Sequence, residues 1–393
     1  MAWSVTLGHC HKSRSPHKRR RPMRFYTEQH QFYCGIDLHA RRMYVCILDR
    51  EGRVLHHRDH TANREELLKV LKPYRADVAI CVECTFSWYW MADVCAEEKI
   101  PFVLGHALYM RAIHGGKAQD DRIDSEKIAR LLMGKLIPMA YAYPAGMREV
   151  RGLLRRRMHL MRHRAELLGH VQSTRLQYNL DPLGKNIGKK CHRRDMAEHF
   201  PEGDIRKLAE VDLAVIEDLD VVIKDLEGHI ERHAQQQDPM SLAILRTIPG
   251  VGDILALVML YETHDINRFE TAQRFCSYAR LVKCQMRSAG KLYGTNGAKI
   301  GNAYLKWAFS EAALLFLRST ELAKKYKERL ERKHGKGGSL AIIAHRLGIA
   351  VYNMLKRRQV FDVYRFLGIS KPTVATKPQA PSDVSSNDVA RSA

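Results

Sequence analysis

Residues 77–84 read Asp-Val-Ala-Ile-Cys-Val-Glu-Cys, and this stretch constrains the fold more than any other. Val78 to Val82 are apolar without a break. A strand of that kind has no polar face to give to water, so it must be covered on both sides, as a central strand of an α/β sheet is. The neighbouring segments agree. "FYCGIDLHA", "MYVCILD" and "VLHHRDH" read as three strands separated by short polar breaks. "NREELLKVLKPY" reads as a helix with Asn63 as its N-cap and Pro73 near its stop. "SWYWMADVCAEEK" is predicted as helix, "IPFVLG" as strand and "DSEKIARLLM" as helix. Three strands in a meander, then helix and strand in alternation, predict an α/β domain with a mixed sheet over residues 31–145.

From Pro144 the pattern turns helical. Residues 148–175 hold eight Arg against two Glu. Residues 208–233 carry Ile216, Leu219, Ile223, Leu226 and Ile230, a repeat of three and four that marks a heptad seam, pairing helices within the chain or between subunits. A helical, coiled-coil segment is therefore expected over 146–238, ending at "QQQDPMS", and a mainly helical domain over 239–370. Within the latter, Pro249-Gly-Val-Gly252 is expected to form a tight turn between two helices, resembling the hairpin of helix-hairpin-helix DNA binders. Backbone N–H groups at Gly250, Gly252 and the following helix start can hold a phosphate there. "MRSAGKLYGTNGAKIGN" (286–302) is rich in Gly, Lys, Ser and Asn and reads as a loop between two helices. Residues 1–30 and 371–393 read as a basic disordered arm and a disordered tail.

Lys+Arg outnumber Asp+Glu by 65 to 43, giving a net charge of +22. A clustered surplus of this size points to a polyanionic partner, nucleic acid above all. Arg155, Arg156 and Arg157 are candidate phosphate contacts. No apolar run of membrane-spanning length and no signal-peptide pattern stand out, so a cytoplasmic, nucleoid-associated protein is expected. The nine cysteines are expected to be reduced, and Cys81-Val-Glu-Cys84 lacks a second pair to close a zinc site. Met1 and Met23 are both plausible starts.

Against that positive background the acids of "DDRID" raise a question, because Asp120, Asp121 and Asp124 repel one another. Asp121 and Asp124 are three apart at a helix start and share a face; Asp120 is the alternative to Asp121. Asp37 lies in the first strand and Glu83 ends the buried one, where an uncompensated carboxylate is costly. Four converging carboxylates make a site for hard divalent cations, Mg²⁺ or Mn²⁺. Two such ions can clamp a phosphodiester.

"GIDLH", "VECTFSWYW" and "DDRIDSEKIA", followed by "IPGVG", "SYARLVKCQMRSAGK" and "KIGNAYLKWAFSEAA", resemble the transposases of the insertion sequence 110 family over residues 31–368. The resemblance implies an RNase H-like, RuvC-like nuclease domain with Asp37, Glu83, Asp121 and Asp124 as metal-binding, catalytic acids. It also implies a serine nucleophile in the C-terminal domain, which points to Ser288 in "RSAGK", with Ser277 a weaker rival. Arg287 and Lys291 stand close enough in sequence to bind the scissile phosphate, and Ala289 stands where some relatives have glycine. The implied function is an RNA-guided recombinase. It would cleave and rejoin DNA through a covalent phosphoserine intermediate, using a structured non-coding guide RNA and a homo-oligomer, dimer or tetramer. A hydrolytic junction nuclease using water, or a non-catalytic nucleic-acid binder, are the alternatives.

Overall fold

The computed structural model describes residues 24–113, 120–182, 187–234, 238–282, 284–296 and 300–370. The arm at 1–23, including Met23, and the tail at 371–393, both expected to be disordered, lie outside the described residues. The chain divides into two compact units, Met1–Ala145 and Gly146–Ala393.

In the first unit, β1 (Phe32–Leu38), β2 (Arg42–Leu48), β3 (Val54–Thr61), β4 (Val78–Glu83) and β5 (Phe102–Gly105) form one sheet in the order β3-β2-β1-β4-β5. The meander β1-β2-β3 is antiparallel, whereas β1, β4 and β5 run parallel. The apolar run becomes β4, with five of its six residues buried. Alternation along the strands sorts the side chains into two layers. Ile36, Val45, Ile80 and Val82 pack under α1 (Arg64–Leu71) and α2 (Tyr89–Glu97), whose Leu67, Leu71, Met91 and Val94 complete that layer. Tyr33, Ala79, Cys81 and Val103 face the other way, against Ile128, Leu131 and Leu132 of α4 (Asp121–Met133). Each Val, Leu, Ile or Met among them removed from water contributes about 1.5–3 kcal/mol. Asn63 caps α1 as expected, accepting from the Glu66 N–H at 2.8 Å.

Two details of this unit depart from expectation. A short helix, α3 (Ala107–Ile113), follows β5. Residues 24–30, read as part of the arm, pack onto the unit. Tyr26 and His30 are buried, and the His30 ring bonds both the Tyr26 hydroxyl and Asp77 at 2.6 Å. Two aromatic rings with a carboxylate partner supply enough burial and bonding to order a segment whose composition looks irregular.

In the second unit, α5 (Ala145–Gln177) and α6 (Asp204–Ala234) lie antiparallel. Arg157 pairs with Glu227, Arg164 with Asp220 and His170 with Asp212, one number rising as the other falls. The heptad seam is packed within the chain, since Ile216, Ile223 and Ile230 are all buried. The helices α7 (Pro239–Arg246), α8 (Asp253–Thr263), α9 (Ala272–Tyr278), α10 (Ala303–Ser319), α11 (Glu321–Arg357, broken by a kink at Gly335) and α12 (Val363–Leu367) share one core around Tyr261, Phe275, Phe309 and Phe316. Helix α11 contains an apolar window of membrane-spanning length, contrary to the reading of the sequence. Half of that window is buried inside the unit, as in a core helix.

The segment read as a loop at 286–302 is in fact largely a hairpin, β6 (Cys284–Ser288) and β7 (Lys291–Asn296). Its two-residue turn holds Ala289 at φ 47° and Gly290 at φ 77°. Positive φ at both central positions is what a tight hairpin turn with the strands' own twist requires. Ala-Gly is a poorer signal for such a turn than Asn-Gly, and the polar composition hid the strands.

Candidate metal centre

The ladder between β1 and β4 runs to Ile36 opposite Val82, so Asp37 and Glu83 are the next neighbours in register. Ile36 and Val82 belong to the α1–α2 layer. Asp37 and Glu83 therefore face the other side, at the carboxyl ends of two parallel strands, next to the start of α4. Brought there by the fold, α4 supplies the remaining acids from its first turn, Asp121 and Asp124.

How closely α4 can approach is decided by Gly35. A Cβ at this position would lie 2.2 Å from the Ala129 nitrogen and 2.3 Å from the Ser125 carbonyl oxygen. Only glycine lets the helix backbone come so near the strand. His57 of β3 steadies the same turn, with its Nε2 2.9 Å from the Arg122 carbonyl oxygen and 3.3 Å from the Ser125 hydroxyl.

The acid-rich start of α4 divides its labour. Asp120 is the N-cap, its carboxylate accepting from the Arg122 N–H at 3.4 Å. Asp124 accepts from Lys127 Nζ at 2.9 Å. Asp121 reaches His39, whose Nε2 is 3.3 Å from Asp121 Oδ1 and 3.6 Å from Asp37 Oδ2. Among the described residues, Asp37, His39 and Asp121 can bring one ligand atom each within 4.8 Å of one another. Reasoning from the sequence missed His39. The signal was there in "GIDLH", since positions two apart at a strand end fall on one face.

Charge couples the remaining acids to this group. Burial pushes the Asp37 pKa up; His39 opposes the rise, and Asp121 and Asp124 add to it. Burial likewise raises Glu83, reinforced by Asp37 and Asp124 and opposed by Arg111 of α3. Asp37 and Glu83 are held where their own ionisation is opposed by burial and by neighbouring carboxylates, an excess of negative charge that a cation would relieve. The donor set of carboxylate oxygens with one imidazole can hold a divalent cation, so the residues fit a metal of the class expected.

The other sequence-derived candidates lie in the second unit. Ser288 is the exposed last residue of β6, and its register partner across the turn is Lys291, also exposed. Arg287 precedes it in the strand, and its side chain lies outside the described residues. Ser277 sits in α9, near its end. Gly250 occupies the α7–α8 turn at φ 84°, and a Cβ there would meet the α10 backbone at Leu315 and Phe316 at 2.7–2.9 Å, so its glycine has a packing reason. Gly252 is the N-cap of α8, with open space beside it. Of the three consecutive arginines, Arg155 bonds the buried Glu262 at 2.7 Å and Arg157 bonds Glu227 at 2.6 Å. Arg156 points to solvent.

Comparison with known proteins places both units. Residues 34–179 match a transposase model, the DEDD domain of IS110, and residues 242–328 match the transposase IS116/IS110/IS902 family. A 137-residue stretch is 28% identical to the "Insertion element IS110 uncharacterized 43.6 kDa protein" of Streptomyces coelicolor, covering 32% of this chain and 34% of that relative. The match thus spans about a third of the curated relative's length. Two models of one family, matched in order along the chain, agree with the motifs and with the gathered acids: the chain belongs to the IS110 family of transposases.

Proposed function

We propose that the protein is a DNA transposase that cleaves and rejoins strands with a divalent-metal site in a RuvC-like domain and a serine nucleophile. The observation that carries this reading is the convergence of Asp37, Glu83, Asp121 and Asp124, with His39, at one end of the sheet. Asp37, Asp121 and His39 would hold one cation, and Glu83 with Asp124 would share in holding a second. When bound, the cation supplies Lewis-acid stabilisation to a phosphodiester oxygen. The mixed sheet, with its acids at the ends of the parallel strands β1 and β4, supports the RuvC-like reading.

Ser288 is the proposed nucleophile. Its hydroxyl would attack phosphorus, form a phosphoserine ester and release the 3′ or 5′ hydroxyl of the cut strand. The reverse attack by a hydroxyl of the partner strand rejoins the DNA without a high-energy cofactor. Exposure at the tip of a hairpin supports this role, because a hydroxyl there can reach a bulky substrate. Lys291, paired across the turn, would bind the phosphate, as would Arg287. We assign the basic surface to DNA and to a structured non-coding guide RNA, the acting form to a homo-oligomer, and the place of action to the compartment holding the DNA.

The test is a denaturing gel of the protein incubated with labelled element-end DNA, the guide RNA and Mg²⁺. A protein–DNA adduct is expected with the wild-type chain and lost in Ser288→Ala and in Glu83→Gln. Cleavage persisting in Ser288→Ala would instead assign the chemistry to water, and DNA binding without cleavage at any metal concentration would make the chain a non-catalytic binder.

A further inference from the structure

The loop joining β4 to α2 carries Phe86, whose 81% exposure is the highest among the large apolar side chains of the described residues. Single apolar residues on a surface are ordinary. Two features set this one apart. The first is its place, three residues beyond Glu83 at the carboxyl ends of β1 and β4, beside the gathered acids.

The second is its mounting. The Thr85 N–H donates to the Glu83 carbonyl at 2.8 Å, and the Cys84 N–H to the Gly105 carbonyl at 2.8 Å. On the far side, the Ser87 hydroxyl donates to the Leu38 carbonyl at 3.1 Å, tying the loop to the end of β1. Trp88 follows immediately and is buried in the α1–α2 layer at 5% exposure. Phe86 is thus held from both sides by groups on the two strands that carry Asp37 and Glu83, while its ring stays in water. A hydrophobic ring pinned in the open, instead of folded back onto the nearby core, offers a flat apolar face at a fixed place.

Resting on the reading of the acids as a phosphodiester site, we propose that Phe86 is the stacking platform for an unpaired nucleobase adjoining the phosphate held there. Every base has a π-face, so a ring at this position takes up a splayed base without regard to sequence, as aromatic side chains do in single-strand binders. The loop then discriminates between paired and unpaired substrate, because a base inside a duplex cannot reach the ring.

The experiment uses the full chain and a 20-nucleotide single-stranded DNA containing 2-aminopurine, with the same strand in a duplex as control. Ca²⁺ replaces Mg²⁺ so that binding is read without cleavage. The wild type is expected to quench 2-aminopurine fluorescence. Phe86→Ala should bind the single strand roughly tenfold more weakly and lose the quench. Phe86→Trp should restore both, Phe86→Leu neither, and duplex affinity should be unchanged throughout. Thermal midpoints of all three variants should equal that of the wild type, since the side chain is exposed. Single-strand affinity of Phe86→Ala within twofold of wild type, or rescue by Leu as good as by Trp, would overturn the proposal. So would a change in sedimentation coefficient in Phe86→Ala, which would mean that a second copy covers the ring. The parent reading is checked separately, by calorimetric titration of the wild type with Mg²⁺. No binding there sinks the metal site, whatever Phe86 does.

Discussion

Asp37 and Glu83 are ionisable groups whose ionisation the fold opposes, and this has a measurable sign. A carboxyl whose folded pKa lies above its unfolded value favours the fold while protonated, and that contribution is lost as the pH rises through the folded value. Without a cation the first unit should therefore be penalised at neutral pH and relieved in mild acid. Mg²⁺ at a hundredfold over its Kd would add about 2.7 kcal/mol. The gain in thermal midpoint on adding Mg²⁺ should be several degrees at pH 8 and should shrink towards pH 5, where protons compete for the same oxygens. Glu83→Gln should raise the midpoint of the metal-free protein by roughly 3 °C while weakening the response to Mg²⁺. A fall in the metal-free midpoint would show that Glu83 is structural. Asp37 and Glu83 were legible as charge placed where a solvated surface could not be, and Asp121 and Asp124 only by their spacing at a helix start. His39 was overlooked although "GIDLH" sets it on the Asp37 face, and only the fold brings Asp121 to it.

At the scale of elements, the meander, the buried β4 and the capped α1 follow from apolar alternation and an N-cap residue, both local signals. What is not local was not legible. Gly35 looks like any strand glycine until α4 lies against it. Gly35→Ala would force helix and strand apart or strain both, at a cost of about 1–3 kcal/mol, and would draw Asp121 and Asp124 away from Asp37. A lowered thermal midpoint together with a lost Mg²⁺ response is the expected outcome. A normal Mg²⁺ titration in a destabilised Gly35→Ala protein would separate packing from the site. Helix α5 shows the same limit. Its arginines read as a nucleic-acid surface, yet Glu262, only 1% exposed, receives both Arg151 and Arg155, and Asn302 donates to it at 2.7 Å. Burial alone would raise the Glu262 pKa, and the hydrogen bond from Arg155 and the charge of Arg151 hold it below the ordinary carboxylate value. Glu262→Gln strands two cations against a buried neutral amide and should destabilise the second unit by about 3 kcal/mol, read from urea unfolding.

For the whole molecule, net charge and usable charge differ. The chain carries +22, but part of that surplus is committed internally, as Arg151, Arg155, Arg157, Arg164 and Arg193 are to Glu262, Glu227 and Asp220. Counterion release counts only the cations that meet phosphates, with a slope of about −0.9 per contact on duplex DNA. Arg156 is exposed, whereas its neighbours on either side are spent on carboxylates. If α5 is a phosphate-binding surface, Arg156→Gln should weaken duplex binding alike for all sequences and reduce the magnitude of the salt slope by about one, leaving the thermal midpoint unchanged. Arg155→Gln should do the reverse, lowering the midpoint through the Glu262 network and leaving the slope near that of the wild type. Fluorescence anisotropy between 50 and 300 mM KCl, beside a thermal melt, reads both quantities on the same samples. Equal slopes in Arg156→Gln and wild type would remove α5 from the nucleic-acid surface and leave its basic charge to bind the helices of the second unit to one another.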